Sequence, residues 1–251
     1  GDKVGRSTLF GIPLQQTWSY ENSGTFAPTY YLQSDAPLYY YSFTDAFIAN
    51  AYLKLTPEQR QRIDPMITGF NPADMYGVDH IRRVLETYPG VFTGIGEFSI
   101  HKEFVSAKVS GDVASLIDPA LDRIFEFTAQ SGLLSILHTD IHMPFVKPEF
   151  RRLYFDQALD LFRRHPNTTI IWAHTGLGRV VQPVAEHLAM LEEILADPAL
   201  KHVYFDISWD EVAKYVVATP DATRLTAALI EKYPDRFLMG SDNVALTDPE
   251  A

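Results

Sequence analysis

Leu133-Leu-Ser-Ile-Leu-His138 and Thr169-Ile-Ile-Trp-Ala-His174 are short, nearly unbroken hydrophobic runs that each end on an imidazole. A strand buried on both faces of a parallel sheet reads this way. Three more runs share the form: Val91-Phe-Thr-Gly-Ile-Gly-Glu97, His202-Val-Tyr-Phe-Asp206 and Arg236-Phe-Leu-Met-Gly-Ser-Asp242. In a βα barrel the C-terminal ends of such strands converge on one mouth, where the chemistry sits. Run ends carrying Glu, His, His, Asp and Asp point to a metal-assisted active site at that mouth.

Working outward, strands alternate with helices. A strand is expected over Ser7–Leu14 and another over Met66–Phe70, which with the five runs makes seven. Helical patterns fill the spaces: Thr44–Leu55, with Thr44 as N-cap, then Val78–Tyr88, stopped by Pro89-Gly90, and Pro119–Gln130, stopped by Gly132. Further helices are expected over Glu149–Arg164, Gln182–Leu195 and Ala222–Lys232. Parallel strands need such crossovers, in an open sheet or a closed barrel. Functional residues on nearly every strand end favour the barrel, because an open sheet gathers its site at one switch point.

A chain of 251 residues suits one barrel domain over 1–251. It opens on Gly1-Asp2-Lys3 and closes on Thr247-Asp-Pro-Glu-Ala251, so it reads as a piece of a longer protein. The expected architecture is a (β/α)8 barrel lacking its first strand and last helix. Residues 15–43 are too long for a simple βα loop, and eight aromatic residues fall between Trp18 and Tyr41 alone. That insertion fits either a substrate lid or an interface with another copy of the chain.

The composition is that of a globular protein, 46% hydrophobic and 21% charged. A net charge of -11 argues against nucleic acid or an anionic membrane as partner. With no cysteine, thiolate zinc sites, disulfides and cysteine nucleophiles are excluded. No apolar stretch approaches membrane-spanning length, and the expected location is cytoplasmic.

Gly94-Ile-Gly-Glu97, His138-Thr-Asp140, Ala173-His-Thr-Gly176 and Gly240-Ser-Asp-Asn243, in that order, resemble the amidohydrolase superfamily, in particular its amidohydrolase-related branch of metal-dependent hydrolases and non-oxidative decarboxylases. The resemblance covers essentially the whole chain and implies a distorted TIM barrel with one or two divalent metals, most often zinc, with manganese or magnesium as alternatives. It implies that His138 is a metal ligand, that His174 has a catalytic or second-metal role, and that Asp242 is both a ligand and the proton acceptor for the attacking water. Glu97 falls where some relatives place a bridging carboxylate. The His-x-His pair that relatives carry on their first strand is absent from this chain.

Other residues divide between chemistry and scaffold. Arg179 is a candidate clamp for a substrate carboxylate, and Trp209 and His142 are further substrate-binding candidates. His101 and Lys102 follow Glu97 and can line the mouth. Asp206 can face the mouth or cap the following turn. His80, His165, His187 and His202 lie within helices or at the opposite strand ends and read as scaffold. The leading expectation is a metal-dependent hydrolase of a small amide, ester or lactone. The alternatives are decarboxylation of an aromatic or unsaturated acid at the same site, and a non-catalytic binding protein on a barrel scaffold.

Overall fold

Every expected strand forms. The structure is a computed structural model that describes residues 5–11, 17–18, 32–33, 44–102, 115–143 and 147–242. Its main sheet has seven strands: β1 (Ser7–Leu9), β2 (Ile63–Ile67), β3 (Gly94–Ser99), β4 (Leu134–His138), β5 (Thr169–Trp172), β6 (Val203–Asp206) and β7 (Phe237–Leu238). They lie in chain order and every adjacent pair is parallel. Among the described residues β1 and β7 are the two edges and are not paired to each other. The aromatic insertion lies largely outside the described residues, apart from a short parallel pairing of Thr17–Trp18 with Leu32–Gln33.

Helices follow the strands as crossovers: α1 (Thr44–Leu53), α2 (Pro57–Arg60), α3 (Gly77–Thr87), α4 (Pro119–Gln130), α5 (Leu153–Arg164), α6 (His187–Ala196), α7 (Asp210–Val216) and α8 (Pro220–Lys232). Helix α4 has the expected bounds, with the Asp118 side chain accepting from Ala120 N at its start. Others differ from expectation at their ends. The run expected from Glu149 begins at Leu153, after a 3-10 turn at Pro148–Phe150. The run expected from Gln182 starts only at His187. Helix α8 begins two residues early, because Thr219 caps it by accepting from Ala222 N. Helices α2 and α7 are additional. Strand β2 also starts earlier than expected. Pro65 reads as a strand breaker, yet it lacks only the donor, and its carbonyl accepts from Thr93 N at 3.0 Å.

Alternation along the strands sorts side chains into two layers. Ile95, Phe98, Leu137, Ile170, Trp172, Val203 and Phe205 point outward, where they pack with Leu121, Phe125, Phe155 and Phe162 from the helices. Met66, Ile136, Ile171 and Ala173 form a smaller inner cluster, with Leu134 and Tyr204 against it. His138 is two residues beyond Ile136, and Asp206 is two beyond Tyr204, so both end their strands on the inner face. The core pattern therefore aims the polar strand ends at the barrel axis.

Asp45, in the first turn of α1, ties that helix to the end of β2. Its carboxylate accepts from Thr68 N at 2.8 Å and Gly69 N at 3.1 Å, and lies 3.2 Å from His80 Nε2. It is 2% exposed. Asp45→Ala leaves buried amide donors without their acceptor, so it should destabilise the fold by about 2–4 kcal/mol. A shift in the midpoint of urea unfolding checks this. No helix among the described residues is long and apolar enough to cross a membrane.

Candidate metal centre

Glu97 sits on a bulge. Ile95 pairs with Ser135 and Phe98 with Leu137, so β3 carries one more residue than β4 between these pairs. Gly96 supplies the positive φ of 100°. Bulges of this kind re-aim a side chain, and here the Glu97 Oε1 lies 3.0 Å from His138 Nδ1. Glu97 is thus inside β3 rather than at its end. Its Oε2 is 3.4 Å from His174 Nε2.

His174 also lies beyond its strand, in a 3-10 turn over Ala173–Gly176, with φ 55° and ψ 23°. Asp242 lies past the end of β7, with Oδ2 3.7 Å from His174 Nε2. The rings of His138 and His174 are 4.9 Å apart. One ligand atom each from Glu97, His138 and His174 falls within 4.8 Å of the others. Among the described residues, the non-glycine residues at positive φ are His101, His174, Thr175, Trp209 and Asp242. All lie just past C-terminal strand ends. A non-glycine residue there costs roughly 1–2 kcal/mol, and such strain gathers at functional sites.

The charged groups of the site act on one another. Burial pushes the Glu97 carboxyl up, but Lys102 (Nζ at 3.4 Å) and the His138 and His174 imidazoles outweigh it and hold the group well below its ordinary range. An ionised carboxylate only accepts, so His138 Nδ1 is the donor to Glu97. Burial pushes the His174 imidazole down, but the Asp206 and Glu97 carboxylates beside it raise it to about 9. Burial, reinforced by Glu97, raises the Asp242 carboxyl. The Nε2 atoms of His138 and His174 are buried and make no hydrogen bond among the described residues. Imidazole nitrogens and carboxylate oxygens are the donors that zinc and similar divalent ions take, so this residue set fits such an ion.

The remaining sequence candidates are placed as follows. Trp209 packs on His174 with ring centroids 5.1 Å apart. The Arg179 guanidinium lies 5.3 Å from the Trp209 ring centroid and Lys102 Nζ lies 5.5 Å from it. His142 Nε2 donates to the Gln182 carbonyl at 3.0 Å, which braces the loop after β5. His101 stacks on Tyr154, with centroids 4.0 Å apart, and burial lowers its imidazole to about 4. Asp206, left open between mouth and turn in the sequence, reaches His174 Nδ1 at 3.3 Å. Ser208, which also reaches that nitrogen, gave no signal as a lone serine. His80, His165, His187 and His202 bond to scaffold groups, as expected: Asp45, Asp122, the Thr175 carbonyl and the Phe162 carbonyl.

A family profile described as amidohydrolase matches residues 92–249. No curated protein matches the chain in sequence. Among solved structures, an uncharacterised TIM-barrel protein from Bordetella bronchiseptica gives a TM-score of 0.53 at 13% identity, covering 80% of this chain and 59% of that one. This likeness shows the barrel fold. A dihydroorotase from Campylobacter jejuni gives 0.48 at 11% identity, over 79% of this chain and 57% of that one. A 2,6-dihydroxybenzoate decarboxylase from Rhizobium gives 0.47 at 14%, over 79% and 64%. The chain therefore spans 57–64% of the length of these three structures.

Proposed function

This chain belongs to the amidohydrolase family, and from its site geometry we propose that it is a metal-dependent hydrolase acting on a small amide, ester or lactone. The observation that carries this reading is the pair of buried Nε2 atoms on His138 and His174, both without a hydrogen bond among the described residues and both grouped with Glu97. These three side chains would hold the ion, with Asp242 beside it. A divalent ion bound there lowers the pKa of water from about 16 towards about 7 and polarises the substrate carbonyl.

The chain's own residues do the rest. Lys102 helps keep Glu97 ionised, so the site presents charge to a cation at neutral pH. Asp242, whose carboxyl is raised by burial and by Glu97, accepts the proton of the attacking water. Trp209 walls the site on the His174 side. The Trp209 ring with its two cations also favours a second reading, decarboxylation of a planar, anionic acid bound by Arg179. Incubating the full-length protein with candidate aromatic acids and assaying carbon dioxide separates the two.

Metal analysis of His138→Ala tests the site. Zinc affinity should fall on the order of a hundredfold or more, beyond the 10–100-fold typical of losing an outer partner. Unaltered stoichiometry and affinity would remove His138 from the ligand set. The pH dependence follows from His174. With its imidazole raised to about 9, it carries a proton at pH 7 in the metal-free protein. Ion uptake at Nε2 displaces that proton. Zinc binding between pH 7 and 9 should therefore release a proton and tighten about tenfold per pH unit, levelling off above 9. Calorimetry in buffers of different ionisation enthalpy reads the proton directly.

A further inference from the structure

The Nδ1 side of His174 is held as closely as its Nε2 side is open. Asp206 ends β6, with Oδ2 3.3 Å from His174 Nδ1. Ser208 Oγ is 3.2 Å from the same nitrogen and 2.5 Å from Asp206 Oδ2. A hydroxyl has one proton, and an ionised carboxylate has none to give. The Ser208 proton is therefore committed to Asp206, and its oxygen can only accept from Nδ1, which must carry hydrogen. His174 is fully buried and Ser208 nearly so, at 6% exposed.

On the other side, Nε2 faces Glu97 Oε2 at 3.4 Å and Asp242 Oδ2 at 3.7 Å. Two carboxylates around one ring nitrogen call for a positive charge between them, which a proton on Nε2 supplies in the metal-free protein and a divalent cation would supply in its place. We propose that Asp206 and Ser208 are positioning residues that lock His174 with its hydrogen on Nδ1, so that Nε2 presents its lone pair to a divalent cation beside Glu97 and His138. The inference rests on the metal-site reading above and assigns to β6 a role beyond capping its own turn.

The bland alternative is that Asp206 merely shapes the turn, since its Oδ1 accepts the Ser208 amide at 2.9 Å. Asp206→Asn separates the two. Its carbonyl can still accept from Ser208 N, but its amide offers N–H where Nδ1 needs an acceptor. In zinc titrations of the full chain, D206N should bind 10–100-fold more weakly than the parent. Nitrogen-15 spectra of the zinc-loaded protein should show the His174 Nδ1 proton in the parent and its loss or displacement in D206N. Asp206→Glu should recover part of the affinity. Ser208→Ala should weaken zinc in the same direction, and it carries the test if D206N does not fold. Folded D206N or S208A with parental zinc affinity and unchanged His174 ring signals would overturn the positioning role alone. Failure of the parent itself to bind zinc would overturn the metal-site reading, and this inference with it.

Discussion

Asp242→Asn should reduce kcat by about a hundredfold to ten-thousandfold, the range that a positioned general base contributes, with a much smaller change in KM. The substitution keeps the size of the side chain and removes its capacity to take a proton. Burial raises the Asp242 carboxyl, and Glu97 adds to the rise. The base works only when ionised, so parental activity should be lost as pH falls through the titration of this carboxyl, which burial raises and a bound cation would lower. D242N should lack this acidic limb, because its residual rate no longer depends on that group. The left-handed backbone at Asp242, with φ 48°, is a strained setting for a residue with no task. A small decrease in kcat, or an acidic limb that survives in D242N, would assign proton transfer to another group.

The strand-end residues were legible in the sequence for a physical reason. Strands buried on both faces must be apolar until they reach the mouth, so the first polar residue after Ile136-Leu137 or after Tyr204-Phe205 stands out. That marked His138 and Asp206 as strand ends, and the barrel with them, while leaving Asp206 open between the mouth and its own turn. His174 stood out in the same way, although the structure places it one turn beyond β5. What stayed hidden depends on groups that meet only in three dimensions. A serine two residues after Asp206 has no periodicity to mark it, and its contact with His174 spans 34 positions. The left-handed turns at His174, Trp209 and Asp242 were equally hidden, because positive φ is uncommon in any residue but glycine, even in the Asp and His that adopt it more often than most. His142, a substrate-binding candidate in the sequence, has its Nε2 engaged by a loop carbonyl.

The glycine before Glu97 should prove the least replaceable small residue near the site. A Cβ at Gly96 would lie 2.1 Å from the carbonyl oxygen of Ile136, on the neighbouring strand. The obstacle is backbone of β4, which cannot rotate aside as a side-chain tip could. The φ of 100° adds a conformational cost of its own. Gly96→Ala should therefore destabilise the protein by about 3–5 kcal/mol, combining steric overlap with backbone strain. Gly132→Ala is the control. It shares a positive φ of 67°, but nothing lies within 4 Å of the added carbon, so it should cost only about 1–2 kcal/mol. Relief of the overlap requires β3 and β4 to separate at the bulge, which carries Glu97 away from His138. Zinc affinity should consequently fall in G96A and stay at the parental level in G132A. Equal unfolding midpoints for the two variants would show that the close approach of the strands at Gly96 does not hold Glu97 in place.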